Sequence, residues 1–210
     1  MTIKPHSHQS APLFFLNGRS GLFAAECSSD ATTEYLRKHL RREHYITDAH
    51  RLDYPPALML NAASKKWQEA TSLDLLRQIR AVTPDPVDLV AHSMGCMLAH
   101  KIMQVTGFQV FRRIVMLSPA MSHKADFRDL KFDRMMVVTN PRDRAIWWGA
   151  IIPGHPYGWA GRRGFVIEDP RIRHEEMRDV AKVDFHRHSH YFRSPQMEML
   201  GQWVEGFLTV

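Results

Sequence analysis

A chain of 210 residues, 44% hydrophobic and 24% charged, carries enough apolar material for one packed core, which excludes the disordered and fibrous classes. Its formal net charge of +6 arises from 28 basic against 22 acidic residues interleaved along most of the sequence, so a solvated basic surface is expected and no nucleic-acid partner. No apolar run approaches the roughly 20 residues of a membrane span, no secretion signal is visible at the N-terminus, and Cys27 and Cys96 form no paired-cysteine motif. These features predict a cytoplasmic protein with reduced thiols and no metal or cofactor.

In chain order, "PLFFL" (12–16) is a buried strand that ends in the glycine-containing loop "NGRSG". Ser28, Ser29 or Asp30 is placed to cap a helix through "ATTEYLRKHL". "HYITDAHRL" (44–52) alternates as a second strand, closed by the prolines of "LDYPPAL". Thr71 with Asp74 has the spacing of a capping box, followed by Leu75, Leu76, Ile79 and Val82 on one helical face. "VDLVA" (87–91) is the third strand, and a helix runs from Ser93 to about residue 105.

"RRIVMLSPA" and "DRMMVVTNP" follow as strands, "RDVAKVDF" (178–185) as the last one, and Ser194 with Pro195 starts a closing helix whose stripe is Leu200, Trp203, Val204, Phe207 and Leu208. Apolar strands alternating with helices predict an α/β fold with a mostly parallel sheet of about six strands, covered on both faces. One domain spans 1–210. Residues 145–178, rich in Gly, Pro and Trp, break the alternation and are expected to make a covering excursion over the sheet.

The stretch "VDLVAHSMGCMLAH" (87–100) sets Ser93 between strand and helix, with Ala91 two residues before it and Gly95 two after. A sharp strand-to-helix turn forces those flanking residues together, so both must be small. It also exposes the hydroxyl at the carboxyl edge of the sheet, beside helix amides that favour negative charge.

With this elbow the chain resembles the α/β-hydrolase family, whose nucleophile elbow is usually G-x-S-x-G; Ala91 stands for the first glycine. The resemblance covers about residues 12–209 and implies a three-layer fold, with the family's N-terminal antiparallel strands reduced or absent. It implies a triad of Ser93, Asp143 from "VVTNPRDRAI", and His188, which precedes Pro195 by seven residues in "HRHSHYFRSP". Asp184 is the competing acid. "LFFLNGRSG" resembles the family's oxyanion loop, with Asn17 in place of the usual histidine, Gly18 in register, and the amides of Arg19 and Met94 as donors. In such a triad a neutral imidazole removes the serine proton while the carboxylate fixes its tautomer.

The chemistry so implied is cleavage of a small-molecule carboxylic ester or thioester through an acyl-enzyme on Ser93, with an acyltransferase or a non-enzymatic binding protein as alternatives on the same fold. His186, His188 and His190 would point the same way in an extended strand, as metal ligands can, but no acidic or cysteine cluster accompanies them. Cys96 lies in the first turn after the serine and reads as a core residue. Gly18, Trp147 and Trp148 are the candidate substrate-binding residues. Trp147, Trp148, Tyr157 and Trp159 fit either a substrate pocket or core, and Arg162, Arg163, Arg171 and Arg173 fit recognition of an anionic head group.

Overall fold

The computed structural model describes residues 11–16, 50–52, 63–151, 157–177 and 196–209. Strands β1 (Leu13–Leu16), β3 (Val87–His92), β4 (Phe111–Leu117) and β5 (Arg134–Thr139) are almost wholly buried, the pattern of strands packed on both faces. With β2 (His50–Arg51) and β6 (Ile172–Glu176) they form a six-stranded sheet in the order β2-β1-β3-β4-β5-β6. Every pairing among the described residues is parallel.

Alternate side chains feed two cores. Phe14, Leu16, Leu89, Ala91, Ile114, Met116, Met135 and Val137 pack on Leu75 and Ile79 of α1 (Lys65–Val82) and on Leu98 and Ile102 of α2 (Met94–Thr106). Leu13, Phe15, Val90, Val115, Leu117, Met136 and Val138 pack on Leu200, Val204 and Leu208 of α5 (Gln196–Thr209), the stripe expected of the closing helix. The remaining helices, α3 (Arg144–Ile151) and the single turn α4 (Ala160–Arg163), follow β5. No helix among the described residues is long and apolar enough to cross a membrane.

Two boundaries differ from expectation. Helix α1 starts at Ser64, whose Oγ accepts from the Trp67 amide at 3.4 Å, and Thr71 is buried inside the helix. The helix-forming "KKWQEA", with Trp67 packed on the core, carries it back beyond the capping box. The strand beside β5 is "IRHEE", which lies inside the stretch assigned to an excursion; 178–185 falls outside the described residues. As an edge strand β6 is charged and partly exposed, so its sequence reads as a solvated loop.

Arg171, grouped by sequence with potential anion binders, is structural. Its Nε and Nη2 donate to Asp169 at 3.0 and 2.6 Å, and its Nη atoms also reach the carbonyls of Phe127 and Leu130, both at 2.9 Å. The guanidinium lies 4.0 Å from the centre of the Phe132 ring, clamping the long β4–β5 connection to the start of β6. Arg173 forms an ion pair with Glu175.

The hydrogen bond from Arg171 holds the Asp169 carboxyl below its ordinary pKa. The clamp is therefore complete above the unfolded carboxyl pKa of about 3.9 and weakens as pH falls through the lower folded value. Arg171→Ala should lose about 3 kcal/mol at neutral pH, measured by urea unfolding, and the gap to wild type should narrow below pH 4. An equal gap at pH 3 and pH 7 would show that packing, rather than the ion pair, holds the connection.

Candidate active site

Ser93 leaves β3 with φ 56° and ψ −123°, a conformation that non-glycine residues rarely adopt and that costs about 1–3 kcal/mol unless its surroundings enforce it. The surroundings do enforce it. The Ser93 amide donates to the Leu117 carbonyl at 2.9 Å, and its carbonyl accepts from the amides of Cys96 and Ala120, both at 3.1 Å. Ser93 occupies the N-cap position of α2, yet its side chain makes no capping hydrogen bond. A plain helix cap therefore does not account for this serine.

The small flanking residues have distinct jobs. Ala91 sits in a buried cross-strand row with Leu16 and Met116, where its methyl contributes to the core. At Gly95 a Cβ would lie 2.2 Å from the Leu16 carbonyl oxygen and 2.9 Å from its carbon, so no side chain fits. That approach brings the start of α2 against the end of β1, from which the chain enters 17–19. Gly18 and Arg19 themselves lie outside the described residues, as do Asp184, His186, His188 and His190.

Met94 is buried in the first turn of α2, where amides lack intrahelical acceptors. Its Sδ accepts from the Tyr157 hydroxyl at 3.2 Å. Burial pushes the Tyr157 phenol up to about 12, so it stays a neutral donor across the physiological range. Tyr157 also packs against the main core, which answers for it the choice between pocket and core.

Asp143 follows β5 and is fully buried. Its Oδ1 accepts from the Ile146 amide at 3.0 Å, capping α3, and its Oδ2 accepts from the Ser118 hydroxyl at 2.9 Å. Ser118 directly follows β4, the strand between those that lead to Ser93 and Asp143, and it too has a positive φ of 40°. Sequence reasoning passed over Ser118 as the tail of a strand. Its place at the carboxyl end of a strand next to the elbow strand was the available signal.

A profile of the alpha/beta hydrolase family matches residues 13–205. The chain belongs to this family. It is similar in structure to the mature lipase of Bacillus licheniformis, with TM-score 0.54, 14% identity, and coverage of 100% of this chain and 96% of that one. It is also similar to a protein described as a CIB-like hydrolase from Thermoplasma acidophilum, with TM-score 0.57, 14% identity, and coverage of 97% and 89%. A protein described as a YdeN-like hydrolase from Pectobacterium atrosepticum gives 0.53, 13%, 95% and 91%. At such identities the likeness concerns the fold. No match was found among curated proteins.

In this alpha/beta hydrolase the segment 157–163 lies across the exits of β4 and β5. The Asn140 amide donates to Gly161 O at 2.8 Å, and Arg162 Nε donates to Pro141 O at 2.6 Å. Cβ atoms at positions 158 and 161 would come within 2.6 Å of Ser122 Cα and 2.9 Å of the Ser118 carbonyl carbon, so glycine is needed at both. Beside Asp143 a cleft of about 460 Å³ is lined by Arg142, Asp143, Arg144, Trp147, Trp148 and Arg162.

Trp147 and Trp148 meet edge to face at 4.8 Å and are 38% and 58% exposed, so they belong to the cleft wall and not to the core. Trp159 lies under Arg162 and Arg163, at 5.7 and 5.0 Å. Cys96 is buried with its Sγ 3.8 Å from Leu117 O, and burial pushes its thiol well up, which leaves it inert as a nucleophile. Among the described residues no cluster of His, Cys, Asp or Glu is set to hold a metal ion.

Gly95→Ala should displace α2 from the Leu16 carbonyl, costing about 2 kcal/mol and lowering Tm by about 6 °C in a chain of this size. Thermal unfolding measures it. A Tm within 1 °C of wild type would mean that the elbow does not depend on that approach.

Proposed function

We propose that the protein is a serine hydrolase that cleaves a carboxylic ester or thioester through an acyl-enzyme on Ser93. The observation that carries this is the positive-φ elbow at Ser93, whose hydroxyl is not used as a cap, two strands from a buried Asp143 carboxylate. Hydrolase and lipase descriptions of structurally similar proteins agree with it.

In this reading His188 takes the Ser93 proton as Oγ bonds to the substrate carbonyl carbon, and Asp143 stabilises the imidazolium. The amides of Met94 and Arg19 receive the oxyanion, with Gly18 allowing the loop to pass close. On collapse His188 returns the proton to the departing alcohol or thiol. Water, deprotonated by the same imidazole, then releases the acid and restores Ser93. Trp147 and Trp148 contact the part of the substrate beyond the scissile bond. Ser118 is a positioning residue, since its hydrogen bond to Oδ2 aims the carboxylate.

A fluorophosphonate probe should label the wild type and not Ser93→Ala. Asp143→Asn should lower kcat on a short-chain p-nitrophenyl ester by about 10²- to 10⁴-fold at unchanged Tm, with Asp184→Asn near wild type. Labelling that survives Ser93→Ala would refute the nucleophile, and a crippled Asp184→Asn beside an active Asp143→Asn would move the acid.

Ser118→Ala should reduce kcat about 10-fold with KM little changed, because one neutral-to-charged hydrogen bond is worth about 1.5–3 kcal/mol and part of it remains through Ile146 N. A change confined to Tm would make Ser118 structural only.

A further inference from the structure

We propose that the cleft beside Asp143 is a subsite for an anionic group, a carboxylate or phosphate carried on an apolar body, so that the preferred substrates are esters bearing a negative charge away from the scissile bond. The inference rests on Ser93 as the nucleophile and adds the substrate class.

The position suits it. The cleft opens at the carboxyl end of β5, two strands from the Ser93 strand, and adjacent strands lie about 4.8 Å apart, so the strand exits are about 10 Å apart. A short chain of carbons joins an ester held at Ser93 to a charge held there.

The charge suits it as well. Arg144 and Arg162, with Arg142, line the cleft beside a single carboxylate, that of Asp143, which already accepts from Ser118 and from the Ile146 amide. Arg144 has no ion pair or hydrogen bond among the described residues. Arg162 is held in place by Pro141 O and the Trp159 ring through its Nε and its planar face, which leaves its terminal nitrogens for a ligand. Planar guanidinium groups bind carboxylate and phosphate oxygens in pairs. The first-turn amides of α3 are not the source of attraction, because Asp143 occupies those of Ile146 and Trp147.

The rest of the wall is apolar. Trp147 and Trp148, both exposed, line it from α3, so an anion alone leaves this surface wet whereas an anion on an apolar body covers it. A volume of about 460 Å³ falls in the range of small-ligand sites.

The test compares kcat/KM for p-nitrophenyl butyrate with that for the mono-p-nitrophenyl esters of glutaric and adipic acids, with Ser93 labelling by fluorophosphonate as the control. The wild type should favour the charged esters, and added salt should erode the preference. Arg144→Ala and Arg162→Ala should each reduce the charged-to-neutral ratio by 10-fold or more. Binding of adipate and of hexyl phosphate, followed by tryptophan fluorescence in Ser93→Ala, gives the same comparison without turnover and should be lost in both arginine variants.

Ser93 labelling with no charge preference, and no binding of either anion, would overturn the subsite and leave the hydrolase reading standing. Absent labelling with anion binding intact would overturn the hydrolase reading instead. Sedimentation with phosphatidylglycerol but not phosphatidylcholine vesicles, abolished by Arg144→Ala while the ester ratio stays put, would assign the cleft to a lipid surface and refute the proposal.

Discussion

The carbonyl of Leu16 occupies the place where any side chain at position 95 would have to stand, and much of the site's geometry follows from that contact. It sets how closely α2 can begin against β1, and so forces Ser93 to turn between strand and helix within a single residue. The backbone at φ 56° is strained, and two hydrogen bonds to the segment that leaves β4, with a third inside the first turn of α2, hold it there. A relaxed turn at this point would carry the hydroxyl away from the sheet edge.

The bonds to Leu117 O and Ala120 N run to the exit of β4, and the same exit reaches the Asp143 carboxylate. Leu117 O and Ala120 N grip Ser93, while between them Ser118, itself at positive φ, donates to Asp143. Ser93, through its backbone, and Asp143, through the Ser118 hydroxyl, are thus tied to one four-residue segment, 117–120. Gly161 packs on this stretch with no room for a Cβ, so the segment after α3 braces it from outside.

What could be read from the residues followed from periodicity and size. Apolar runs marked β1, β3, β4 and β5, and the Ala-x-Ser-x-Gly spacing marked the elbow, because burial on both faces and a tight turn each leave few residue choices. The start of α1 was missed because Ser64 caps a stretch whose charge hides its helical face. Strand β6 was missed because an edge strand needs to be apolar on few of its residues, and "RHEE" looks like loop. Ser118 was unreadable because a hydroxyl's partner is a matter of three-dimensional register. The expectations for Gly18, Arg19 and His188 fall outside the described residues.

Arginine is where sequence and structure part most clearly. Arg162, Arg163, Arg171 and Arg173 look alike along the chain, yet their surroundings divide them. Arg171 is saturated by a carboxylate, backbone carbonyls and a ring, and Arg173 has an ion pair on its own strand. Arg162 is anchored by one nitrogen, and Arg144, which composition did not single out, stands beside it in the cleft. Basic residues whose donors are consumed lock the scaffold. Those with donors to spare create a local positive field beside a buried carboxylate, and that field acts on whatever portion of a ligand lies there.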